Sequence, residues 1–194
     1  MKKITLNNII IACFLFIATS CNNVNTNDNT SISTTNDSTL SIAINNESQL
    51  EEIGIQLMKS ESVGGIQLGL GINQVIKILG NPSEKSNPEI WEADGEYHQN
   101  FSYVKDGLDL DFIGQSESNQ SLNMITVTEP CTLKTKRQIG VGSSIEEVNS
   151  AYKNEIDAAS SNSETIIAGT IYGGIIFGIE NSKVKSIFIG QSAE

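Results

Sequence analysis

The feature that most constrains this chain is an internal repeat. Ile66-Gln67-Leu68-Gly69-Leu70-Gly71-Ile72-Asn73-Gln74-Val75 aligns with Ile139-Gly140-Val141-Gly142-Ser143-Ser144-Ile145-Glu146-Glu147-Val148, and Ile66, Gly69, Ile72 and Val75 recur as Ile139, Gly142, Ile145 and Val148. Further on, Gly107-Leu108-Asp109-Leu110 parallels Gly174-Ile175-Ile176-Phe177, and Leu122, Ile125 and Val127 have the spacing of Val184, Ile187 and Ile189. Three matches in one order argue for a supersecondary unit written twice.

Each unit reads as a helix followed by strands. Ile72, Val75, Ile76 and Leu79 follow the i, i+3, i+4, i+7 stripe, and Gly80 and Pro82 stop it. In the second unit Ser144-Ile145-Glu146-Glu147 is a capping box, and Ile145, Val148 and Tyr152 form the apolar face; no glycine ends this helix, and Asn154 is able to take the left-handed cap conformation. Phe101 and Tyr103 alternate with polar neighbours, as do Leu108, Leu110 and Phe112, and residues 122–128 make another strand. Residues 166–172, 175–179 and 184–189 do the same in the second unit, with Asn181-Ser182 as a turn. One apolar and one polar face is the pattern of an antiparallel sheet wetted on one side. The expectation is an α+β protein of two tandem repeats, residues 51–130 and 131–194, each a short helical segment on a small antiparallel sheet. Leu50, Ile53, Ile55 and Leu57 fit either a strand or a helix.

The amino terminus is of another kind. Lys2 and Lys3 precede the uncharged apolar run Ile9 to Ala18, then small Thr19 and Ser20, then Cys21. A basic start, a short apolar core and a small-residue exit make a secretory signal over residues 1–20, and the run is shorter than the ~20 residues a membrane span needs. Residues 21–50, rich in Asn, Ser and Thr and poor in apolar side chains, read as a disordered linker. A cleaved leader removes Lys2 and Lys3 but no acid, so the chain's net charge of −11, from 12 basic and 23 acidic residues, becomes two units more negative. Such a surface repels nucleic acid. Of three cysteines, Cys13 leaves with the leader, so Cys131 is left without a disulfide partner if Cys21 is modified.

Ile17-Ala18-Thr19-Ser20-Cys21 resembles the bacterial lipobox. The resemblance implies lipidation of Cys21 and attachment to a membrane, the outer one in a two-membraned cell by analogy from Asn22; an ordinary signal cut after Ser20 is the alternative. GGIQLGLGINQVIKILGNP, residues 64–82, resembles the opening of BamE/SmpA-type outer-membrane lipoproteins, and the tandem arrangement resembles the beta-lactamase-inhibitory-protein fold. These likenesses imply two helix-plus-sheet repeats and a protein-binding role.

Residues with chemistry are few. His98, the one histidine, sits at an expected strand start, half exposed. Asp106, Asp109 and Asp111 cluster around one strand, with 109 and 111 on one face, but match no EF-hand loop. Gly140 to Ser144 leads into a helix without the Gly-Lys-Ser/Thr end of a phosphate loop. Trp91 lies among Glu89, Glu92 and Asp94, as an interface anchor or as a lid over a small core. No catalytic set, metal or cofactor is expected. The reading is a lipid-anchored envelope protein that binds or scaffolds another protein without catalysis; the alternatives are an inhibitor of an exported beta-lactamase or protease, and a hydrolase or metal-dependent enzyme.

Overall fold

The computed structural model describes residues 36–191. The signal segment, Cys21 and the linker up to residue 35 lie outside the described residues. The described residues form one compact unit, of class α+β. α1 spans Asn36–Ser60, α2 Ile72–Leu79 and α3 Ile145–Ala151. The strands are β1 Glu84–Lys85, β2 Glu89–Ile90, β3 Tyr97–Tyr103, β4 Leu108–Ser116, β5 Asn119–Thr128, β6 Thr165–Thr170, β7 Gly173–Glu180 and β8 Lys183–Gly190.

All eight strands belong to one antiparallel sheet, in the order β1-β3-β4-β5-β8-β7-β6, with β2 on the edge of β3. The segments read as two repeats therefore do not carry separate small sheets; their strands join at β5 and β8. Ile125 pairs with Ile189 and Val127 with Ile187. By the repeat, 125 corresponds to 187 and 127 to 189, so each residue faces its counterpart's neighbour, the pairing an internal two-fold axis produces. The glycine turns also match. Gly69 N–H donates to Leu122 O at 2.7 Å and Leu122 N–H to Leu70 O at 2.8 Å; Gly142 N–H donates to Val184 O and Val184 N–H to Ser143 O, both at 2.8 Å. Gly69 and Gly142 hold φ of 86° and 87°, a left-handed conformation that favours glycine.

The helices form where the stripes fall. α2 ends at Gly80 as expected. In α3 Ser144 Oγ accepts from Glu147 N–H at 3.2 Å while Glu147 Oε2 accepts from Ser144 N–H at 2.7 Å. In α2 Gln74 Oε1 accepts from Gly71 N–H at 3.0 Å, the same half of a box without a hydroxyl. α3 does not end at Asn154: Tyr152 is its cap at φ −120°, because the Tyr152 ring is wholly buried and fixes the chain there. α1 starts inside the segment read as linker, so residues 36–50 are helical. Its described part explains why: Leu50, Ile53 and Leu57 lie at i, i+3, i+7, and Leu57 enters the core. α1 packs mainly on β6 and β7, in the second half.

The core is the inner sheet face. Phe101, Tyr103, Leu108, Leu110, Phe112, Ile125 and Val127 from one half meet Ile166, Ala168, Ile175, Phe177, Ile187 and Ile189 from the other. Val75 of α2 and Val148 of α3 are fully buried against them; each such side chain contributes about 1.5–3 kcal/mol. Asn181 and Ser182, at φ 52° and 60°, make the expected turn between β7 and β8, the two left-handed residues of a type I′ hairpin.

Candidate functional site

With the core on the inner face, strand alternation sends every second residue to the outer one. One row of outer residues crosses six strands in register: Ser102 of β3 opposite Asp109 of β4, Asp109 opposite Thr126 of β5, Thr126 opposite Phe188 of β8, Phe188 opposite Ile176 of β7, and Ile176 opposite Ile167 of β6. At ~4.8 Å per strand the row is about 24 Å long. Its two ends differ. Ser102 Oγ donates to Asp109 Oδ1 at 2.5 Å, and a groove of about 320 Å³ runs past them between Asn100, Asp111, Met124 and Thr126. At the other end Phe188 and Ile176 are half-buried and Ile167 is buried apart from the main core. The second half thus departs from the expected wet outer face. The signal was in the sequence: Ile166-Ile167-Ala168, Ile175-Ile176-Phe177 and Ile187-Phe188-Ile189 are apolar at consecutive positions, which marks strands apolar on both faces.

Beside the polar end lies a cluster around His98. The ring is 5 % exposed, not half exposed as expected, because Trp91 stacks on it at 3.7 Å and 8°. Trp91, 42 % exposed, covers a histidine rather than a patch of core. His98 Nε2 lies 2.9 Å from Asp94 Oδ2, and Nδ1 lies 3.5 Å from Asp111 Oδ1. Backbone N–H donation from Glu96, and then His98, hold the Asp94 carboxyl below its usual range. Burial pushes the Asp111 carboxyl up, and Asn123 Nδ2 at 3.4 Å is a weak donor to it.

The other sequence candidates do not converge there. Asp106 ends a short 3-10 turn, Val104–Asp106, beyond β3. Cys131 is a buried free thiol that lines a separate cavity of about 390 Å³ with Tyr103, Asp106 and Leu108, at the far end of β4 from His98. Burial pushes its thiol up, away from the thiolate a nucleophile needs. In the Gly140–Ser144 turn the amides are spent on the fold: Gly140 N–H on Ser143 Oγ at 3.2 Å and Gly142 N–H on Val184 O. Among the described residues no three His, Cys, Asp or Glu side chains are grouped to hold a metal ion, and no helix is long and apolar enough to cross a membrane.

Fold and site together define an α+β protein with one sheet whose inner face is core and whose outer face carries a two-ended row. No family model, no curated protein and no solved structure matches the chain.

Proposed function

We propose that this is a non-catalytic docking module, held to a membrane through lipid on Cys21, that lays a protein partner across the outer sheet face. The row from Asp109 to Ile176 carries the reading. It offers half-buried apolar side chains at one end and a carboxylate at the other, on strands fixed by a large core. An apolar patch beside polar groups on a rigid surface is how protein interfaces are built. The charge of −11 favours a partner with a basic surface. The leader Lys2 to Ser20 followed by Cys21 supports the anchor. On the outer face Ser102 is bonded to Asp109, and His98 to Asp94 beneath Trp91, so the hydroxyl is not paired with the imidazole, which favours binding over hydrolysis.

Co-purification from detergent-solubilised envelopes tests it, with wild type compared to Phe188→Asp and Asp109→Lys. One specific partner is recovered with wild type and lost with both variants. Recovery that is equal for all three, or absent for wild type, sinks the docking reading.

A further inference from the structure

We propose that residues 91–96 form a proton-gated flap, in which one proton held between His98 Nδ1 and Asp111 fastens the flap to the sheet and its loss releases it. The inference does not need the docking reading. The flap is a tight turn between β2 and β3: Trp91 N–H donates to Glu96 O at 3.0 Å and Gly95 N–H to Trp91 O at 2.8 Å. Its side-chain ties to the sheet run through one ring, the Trp91 stack and the Asp94 contact both being made to His98.

Asp94, held ionised, accepts from His98 Nε2–H. Neutral imidazole then has only a lone pair at Nδ1, and that lone pair faces the Asp111 carboxylate at 3.5 Å. Both His98 Nδ1 and Asp111 Oδ2 are buried without a hydrogen-bond partner. Two acceptors opposed out of water repel, and an unsatisfied buried polar group is destabilising. One added proton turns the contact into a donor–acceptor pair and satisfies Nδ1. The surrounding charges agree: Glu89 of β2 pairs with His98 across the strands, Asp94 and Glu96 come from the turn, Asp111 comes from β4, and β5 brings neutral Asn123 and Gln120. All four charged groups are acids, and each favours the proton. Burial pushes the Asp111 carboxyl up, so it holds its proton above the ordinary carboxylate range. The sign follows. Below that step the flap is fastened; as pH rises through it the proton leaves to solvent, the lone pairs confront, and the flap comes free with Trp91.

The chain has one tryptophan and one histidine, so Trp91 emission reports this contact alone. The His98 ring stacked on Trp91 at 3.7 Å shields the indole from solvent and quenches it while the flap is fastened. Emission and acrylamide access of the full chain in detergent are followed from about pH 4 to 9. Expected is a single step in which emission and acrylamide access rise together. Asp111→Asn moves the step down by about one pH unit, tenfold in proton concentration, and His98→Gln abolishes it. Flat wild-type emission, a step that survives in His98→Gln, or an emission step with no change in acrylamide access overturns the proposal.

Discussion

The Tyr152 hydroxyl donates to Glu61 Oε2 at 3.0 Å across 91 residues of chain. This contact joins the residue that follows α1 to the end of α3. Glu61 is 3 % exposed and otherwise fully served: Ser62 and Lys136 N–H donate to Oε1 at 3.1 and 2.8 Å, and Arg137 Nε lies 3.5 Å from Oε2. Arg137 also stacks on the Tyr152 ring at 4.6 Å and pairs with Glu155 at 3.2 Å, so each charge has a partner. Burial pushes the Tyr152 phenol above its ordinary value, so the hydroxyl keeps its proton and stays a donor. Removing it leaves a buried carboxylate one donor short. Tyr152→Phe should lower unfolding stability by about 1–3 kcal/mol, read from urea midpoints with the slope unchanged.

At Gly54 α1 meets β6 and β7 backbone to backbone. A Cβ on Gly54 runs into the carbonyl of Gly173 and close to the Cα of Gly169, both backbone atoms. Alanine gains about 1 kcal/mol of helix propensity over glycine, but overpacking of this kind costs about 1–3 kcal/mol and the backbone cannot step aside. Gly54→Ala should therefore destabilise the protein, and hydrogen exchange should show residues 50–60 losing protection first.

Gly69 and Gly142 make a paired test of whether the two segments are repeats. Neither has an atom within 4 Å of a Cβ, and both lie at φ near 87°, so alanine meets only the left-handed strain, about 1–2 kcal/mol. Gly69→Ala and Gly142→Ala should cost the same within about 0.5 kcal/mol, and the double variant should be additive at that level. Unequal costs of more than twofold would show that the two turns bear different loads.

Much of this architecture was legible because it rests on local patterns. The stripe Ile72-Val75-Ile76-Leu79, the Ser144–Glu147 box and the alternation at Phe101 and Leu108 are set by neighbours in sequence. What was hidden depends on the far side of the fold. Nothing near Leu50 in sequence reveals that Leu57 meets the second half, so the local pattern fits strand and helix alike and the polar stretch before it reads as linker. The two-sheet expectation failed because β5 and β8 are each compatible with an edge or a centre; only their mutual pairing decides. His98 looked solvated because its covers, Trp91 and Asp111, come from two other elements. The apolar row on the outer face was readable in the unbroken triplets around Ile167, Ile176 and Phe188, once alternation is checked on both faces.

Cys131 should react as a packed thiol. Buried beside Tyr103 and Leu108 with its thiolate disfavoured, it should label with an aromatic disulfide reagent at least about 100-fold slower in the native protein than in urea. Raising the pH within the folded range should go on accelerating labelling after a small exposed thiol has levelled off, because the raised thiol still gains thiolate there. Native labelling at the unfolded rate would mean that the cavity at the end of β4 is open to solvent.

The central claim is that the outer row holds another protein. Site-specific photo-crosslinking in living cells tests it most directly, with a benzophenone amino acid at Phe188, at Ile176 and, as a control, at exposed Lys153 beyond α3. Positions 188 and 176 should give the same discrete adduct, weakened by Asp109→Lys, while 153 gives none. Absence of adducts at 188 and 176, or the same adduct from 153, would contradict the account.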